Sequence, residues 1–232
     1  MFRRFGVLAV ALCGAMSFAG TSGAQTTPQT TPQISVKKPL AVAGASVQKT
    51  LKTCFQCHGP KGISKLPSRP TIAGQKGNYI AQQLTAFLKA AKSSDSVRSS
   101  PVMEHVVQGL DAAMIVKVAS VVSTLACRKD DAKVKMPPPT PPAVAGPCAT
   151  CHGVDGIGIQ INTPNLAGQQ RTYLRRELLL IRETAWGAIP RDGEIARAHP
   201  IMESQVARLK IQDVDALAQY YSTLDCRGSS TP

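Results

Sequence analysis

Apolar side chains recur along this chain with a helical period. Ile80, Leu84, Phe87, Leu88 and Ala91 fall at i, i+4, i+7, i+8 and i+11, one stripe of an α-helix, and Tyr173 to Ile181 carries a counterpart. Ile115, Val118, Val122 and Leu125 mark a further helix, with Asp111 placed to cap it. Val214, Leu217, Tyr221 and Leu224 repeat that stripe, with Lys210 where the capping residue would stand. A short helix from about Gly44 runs into Cys54, whereas Pro147 and the prolines before it leave room for only a very short equivalent. The pattern predicts helices and no strands.

The paired stripes belong to an internal repeat, which sets the domain plan. Cys54-Phe55-Gln56-Cys57-His58-Gly59 matches Cys148-Ala149-Thr150-Cys151-His152-Gly153. Pro70-Thr71-Ile72-Ala73-Gly74-Gln75 matches Pro164-Asn165-Leu166-Ala167-Gly168-Gln169, and Tyr79 matches Tyr173, all at an offset of 94 residues. Pro101-Val102-Met103-Glu104 then matches Pro200-Ile201-Met202-Glu203, and Cys127 matches Cys226, at an offset of 99. The second copy therefore gains five residues, expected in the loop around Gly187 to Ala198, where insertion costs little. The copies span residues 44–128 and 146–228, with a short tail at 229–232. Between them, residues 129–145 include Pro137-Pro138-Pro139-Thr140-Pro141-Pro142, a semi-rigid tether.

The first 24 residues read as a secretory signal. Arg3 and Arg4 precede an apolar run from Phe5 to Ala19, too short for a membrane span, and Ser22-Gly23-Ala24 offers cleavage before Gln25. Cys13 leaves with this segment, and residues 25–43, rich in Gln, Thr and Pro, form a disordered leader. The full chain carries a net charge of +13. Outside the cytoplasm such a charge meets acidic protein patches and anionic lipid headgroups rather than nucleic acid. Aromatic residues make up only 4% of the chain, which suits a core filled partly by a cofactor.

The chemistry resides in C-x-x-C-H, the attachment signature of c-type haem. Two cysteines on one turn each form a thioether to a haem vinyl group, and the adjacent histidine is thereby set against the iron. Cys54 and Cys57 then hold one haem with His58 on its iron, and Cys148, Cys151 and His152 hold the other. A zinc ribbon would space its C-x-x-C pairs roughly 15–20 residues apart, and a thioredoxin-like pair would follow a strand; neither pattern is present. Met103 and Met202, in matched Pro-x-Met-Glu segments, are the candidates for the sixth ligand, since a thioether raises the potential and closes the iron to small molecules. His105 and His199 are rivals, but one follows its methionine by two residues and the other precedes it by three, an asymmetry that equivalent sites would not share. Met114 reads as helix core and Met136 as tether.

The order C-x-x-C-H-G, P-x-[IL]-A-G-Q and Pro-x-Met resembles class I cytochrome c. Its doubled form resembles the dihaem cytochromes c of the c-four type over nearly all of residues 44–227. The resemblance implies an all-α fold of two tandem class I cytochrome c domains, each wrapped around one covalent haem c, joined by the Pro-rich linker and packed about a pseudo-twofold axis. It implies also that the carbonyls of Pro70 and Pro164 accept a bond from His58 and His152 and so orient them. Cys127 and Cys226 depart from the pattern. Being symmetric, they either bridge to each other across the axis, bridge to a second molecule, or stay thiols.

With both irons six-coordinate the expected role is electron carriage and not catalysis. The carrier is exported to the periplasm, soluble or held peripherally on an anionic membrane. A quinol-oxidising complex or a dehydrogenase would be its donor, and a terminal oxidase such as cytochrome c oxidase its acceptor. Two other classes remain: a haem enzyme with an open sixth position or a cysteine ligand, and a dedicated electron-accepting subunit of a periplasmic oxidoreductase. Neither Cys127 nor Cys226 lies in a Pro-x-Met segment. The intact mass of the exported protein is expected to equal the chain from Gln25 plus two haem groups; a mass without both additions contradicts the reading.

Overall fold

The structure, a computed structural model, describes residues 44–93, 96–127, 139–188 and 197–226. The signal segment, the leader, most of the tether with Met136, most of the inserted loop and the C-terminal tail lie outside the described residues.

Eight helices are described: α1 (Ala45–His58), α2 (Gly77–Ala90), α3 (Pro101–Val107), α4 (Ala112–Thr124), α5 (Gly146–His152), α6 (Arg171–Ala185), α7 (Pro200–Val206) and α8 (Ile211–Thr223). The last three answer α2, α3 and α4, and α5 is the shortened partner of α1. Pro147 sits in the first turn of α5, where its missing N–H costs nothing. A 3-10 turn, Ala143–Ala145, stands in place of the missing helical turns, and Ala145 is buried in the second core. Among the described residues the sole β-type pairing is an isolated antiparallel bridge between Arg98 and Arg197.

Each half has its own core. Val47, Leu51, Val118 and Val122 form the first, with Phe55, Ile80, Leu84 and Met114 against them. Leu174, Leu217, Ala218, Tyr220, Tyr221 and Leu224 form the second. The helix stripes read from the sequence supply most of these side chains, because a helix lacking a buried face has little stability of its own. Helix α4 starts on Asp111, whose carboxylate accepts the Met114 N–H at 2.7 Å. Helix α8 finds its cap from within: Asp213 accepts the Lys210 N–H at 2.8 Å, so Lys210 at the N-cap is no obstacle.

The halves meet across a local pseudo-twofold axis, and the contacts cross it in matched pairs. Gln75 of the first half donates to the Asn165 carbonyl at 2.9 Å and accepts the Asn165 N–H at 2.8 Å. Gln169 of the second half does the same with Thr71, both bonds at 2.8 Å. Arg98 reaches over to Glu177 and Tyr173, while Arg197 reaches back to Gln83 and Tyr79. Gln75, Gln169, Arg98, Arg197 and Glu177 are buried, and each glutamine amide satisfies the other half's backbone as a strand would, which offsets the cost of removing both from water. Beside the glutamines, Cys127 and Cys226 form a disulfide with their Cα atoms 6.2 Å apart.

That crosslink closes a loop of 99 residues. In a chain-entropy account a loop of that size restricts the unfolded state by about 4–5 kcal/mol, with measured effects nearer 2–4. Cys127→Ser and Cys226→Ser are each expected to lower the unfolding free energy of the haem-loaded protein by roughly 2–4 kcal/mol, with the double variant no worse than either single one. Guanidinium titrations of the three proteins check this.

Candidate functional site

Both candidate sites are built at the end of a helix. Helices α1 and α5 stop at His58 and His152 because the next residue, Gly59 or Gly153, takes φ of +78° or +74°. A Cβ there would run into the carbonyl of Ile63 or Ile157, so only glycine lets the chain turn back so closely. The returning chain is anchored on a second glycine carbonyl. Gly62 accepts from the N–H groups of Ile72 and Ala73, and Gly156 from those of Leu166 and Ala167. This brings Pro70 and Pro164 under the imidazoles.

The two rings are then fixed alike. His58 Nδ1 lies 2.9 Å from the Pro70 carbonyl, and His152 Nδ1 lies 3.0 Å from that of Pro164. A carbonyl only accepts, so Nδ1–H donates and Nε2 is left with its lone pair. Burial lowers the pKa of both rings, against the raising effect of these bonds, and favours the neutral form that binds a metal. The resemblance predicts both contacts, and both are present.

The four motif cysteines are unbonded: Cys54 and Cys148 are half-buried, Cys57 and Cys151 exposed. Burial raises the pKa of the Cys54 and Cys148 thiols, which favours their protonated form. Among the described residues no group of three or more His, Cys, Asp or Glu side chains is close enough to hold a metal ion, so a zinc ribbon has no ligand set.

Helices α3 and α7 carry Met103 and Met202, both half-buried. Pro101 and Pro200 open these helices. The glutamate of each Pro-x-Met-Glu segment closes the turn before it: Glu104 accepts the Ser100 N–H at 2.7 Å, and Glu203 accepts the His199 N–H at 2.6 Å. This work of the glutamates is not visible in spacing alone. His199 is occupied as the N-cap of α7, its Nδ1 accepting the Met202 N–H at 3.4 Å. His105 is exposed.

Sequence reasoning did not single out the arginines at the join of the two halves. Arg98 and Arg197 are each only 7% exposed, and Glu177 9%. Arg98 Nη1 is 2.6 Å from Glu177 Oε2, and Arg197 Nε is 3.4 Å from the same oxygen. Burial pushes the Glu177 carboxyl up, but Arg98 and Arg197 together outweigh it and hold it below the usual carboxylate range. Neither Arg98 Nε nor Arg197 Nε has a hydrogen-bond acceptor. Two buried cations with a single shared carboxylate suit a cofactor that brings carboxylates of its own. The donor set thus fits haem c: a pair of free thiols and an imidazole Nε2 in each half, and unsatisfied guanidinium N–H groups between the halves.

Comparison with known proteins agrees with this chemistry. The sequence profile of the cytochrome c family matches residues 143–225. A cytochrome c-554(548) of Halomonas halodenitrificans is 33% identical over 79 residues, which is 34% of this chain and 84% of that protein. A thiosulfate dehydrogenase electron acceptor of Thiomonas intermedia is 26% identical over 186 residues, 72% of this chain and 76% of that protein. The crystal structure of reduced cytochrome c4 from Pseudomonas stutzeri superposes with a TM-score of 0.61 at 25% identity, covering 79% of this chain and all of that one.

Proposed function

This chain belongs to the cytochrome c family, as a dihaem cytochrome of the c4 type, and from that premise we propose that it relays single electrons between redox proteins of the periplasm without making or breaking bonds. One observation carries the reading: the same imidazole, held by the same proline carbonyl beside the same pair of free thiols, occurs twice in halves joined across a polar axis. Haem c, when bound, supplies a reversible one-electron centre in each half. Cys54, Cys57, Cys148 and Cys151 tether it, so that it is not lost outside the cytoplasm. His58 and His152 present Nε2 in a fixed orientation, which lowers the reorganisation that accompanies each electron. Met103 and Met202 would offer thioether sulfurs to the iron, on helices whose entry turns Glu104 and Glu203 close. Irons held by these histidines and methionines would have no open position for a substrate.

Docking is electrostatic in the first half. Residues 44–127 hold eight lysines and two arginines against three acids, whereas residues 146–226 hold eight basic residues against nine acids. Lys61 and Lys65 are exposed in the turn after Cys57, where the second half has Asp155 and Ile159. Such a face steers the protein to an acidic donor or acceptor, such as a quinol-oxidising complex, a dehydrogenase or a terminal oxidase. It would also hold the protein loosely to an anionic membrane surface. Among the described residues no single helix is long and apolar enough to cross a membrane. A second reading is favoured by the likeness to the Thiomonas electron acceptor: a dedicated partner of one periplasmic oxidoreductase, which co-purification with a catalytic subunit would reveal.

Spectroscopy tests the ligand set. Ferric protein is expected to show the far-red sulfur-to-iron band, and ferrous protein to resist carbon monoxide. Met103→Ala and Met202→Ala should each remove about half of that band and open one haem to carbon monoxide. Rapid carbon monoxide binding by the unaltered protein would overturn the carrier reading. For docking, the double change Lys61→Glu and Lys65→Glu is expected to slow electron exchange with anionic hexacyanoferrate several-fold at low ionic strength, an effect that fades toward about 0.5 M salt. Stopped-flow traces at several salt concentrations read both.

A further inference from the structure

The clamp between the halves is symmetric in its arginines and tyrosines and departs from symmetry around position 177, where the partly exposed Arg176 also lies 3.3 Å from Glu177 Oε1 and the first half has Gln82. Arg98 and Arg197 are equivalent by the repeat, as are the tyrosines they reach: Arg98 Nη2 to Tyr173 and Arg197 Nη2 to Tyr79, both 3.2 Å. The third partner is not shared. Arg98 Nη1 meets the carboxylate of Glu177 at 2.6 Å, while Arg197 Nη1 meets the neutral amide of Gln83 at the same 2.6 Å. Glu177 and Gln83 are themselves a repeat pair, 94 residues apart on α6 and α2. Geometry is conserved across the axis and charge is not.

We propose that Glu177 is the residue that sets the two haem centres electrically apart. This rests on the dihaem reading above. A carboxylate 9% exposed is poorly screened by water, so its field acts over longer distances than that of a surface charge. It favours the oxidised, more positive state of any nearby iron. With an uncharged residue at its image, it acts unequally on the two centres, in addition to the different surface charge of the two halves. Arg98 and Arg197 do not produce this difference, because each is the other's image. The electron's preferred side of the molecule is then written partly in one atom pair: oxygen at position 177, nitrogen at position 83.

The symmetry supplies its own controls. In the haem-loaded protein, Gln83→Glu adds the missing image charge and Glu177→Gln removes the existing one. The first is expected to lower both midpoint potentials and the second to raise both, yet both should change the separation between them in the same sense and by a similar amount. The exchange variant, Gln83→Glu with Glu177→Gln, keeps the net charge and should change the separation about twice as far. Potentiometric titration, with each haem assigned by its NMR methyl signals, reads all three. Glu177→Gln leaves two buried cations without a counter-ion and is the variant at risk of misfolding. Gln83→Glu and the exchange variant each retain a carboxylate, and they carry the test. An unchanged separation in those two overturns the proposal, as does movement of the mean potential in the wrong direction. The unaltered protein must first take up two electrons per chain, since an uptake of one or none would instead defeat the dihaem reading; two electrons in a single unresolved wave would overturn the proposal.

Discussion

The bond from each histidine Nδ1–H to a proline carbonyl organises the molecule. It commits one ring nitrogen to the backbone and leaves the other as a donor of fixed direction. To make it, the chain must reverse directly after the imidazole, which requires glycine at 59 and 153, and must then return twelve residues later beneath the ring. The same return delivers Gly74 and Gly168 to the carbonyls of Val122 and Tyr221, tying the loop to the terminal helix of its half. Gln75 and Gln169 follow at once and reach the opposite half. Ring orientation, loop path and the joining of the halves are thus consecutive consequences of one stretch of sequence.

Much of this was legible from the residues alone. The stripes of α2, α4, α6 and α8 showed as periodicity because each packs a single face on a core. The cysteines and histidines showed because their spacing has few other uses. The Pro70 and Pro164 contacts were accessible only through resemblance, since nothing in a proline's type announces what its carbonyl accepts. Cys127 and Cys226 were recognisable as a symmetric pair, but pattern could not choose among a bridge to each other, a bridge to another chain and free thiols; proximity in the fold decides that.

What escaped the sequence was polar and long-range. Gln75 and Gln169 were visible as repeat landmarks without a role, because a buried glutamine bonded to a distant backbone has no local signature. Arg98 and Arg197 also obey the 99-residue offset, yet an arginine is ordinarily a surface residue and invites no such reading. Their burial follows from the tyrosines and from the Gln83–Glu177 position, one helical turn further along each helix, and those partners lie in the other half. The role of Glu104 and Glu203 was hidden in the same way: the motif marks them, but only the folded turn shows that they hold the segment carrying the methionine.

The covalent path around the molecule also bears on its fate when a protease meets it. Cys127 ends the first half and Cys226 ends the second, so the sulfur bridge and the intervening polypeptide form a closed ring that contains the tether and the entire second half. A single cut anywhere in that ring, the proline-rich tether included, opens the ring and releases nothing. Severed chains would migrate as one species until a reductant is added, and the two haem-bearing bodies would stay at their working distance after the polypeptide link between them had gone.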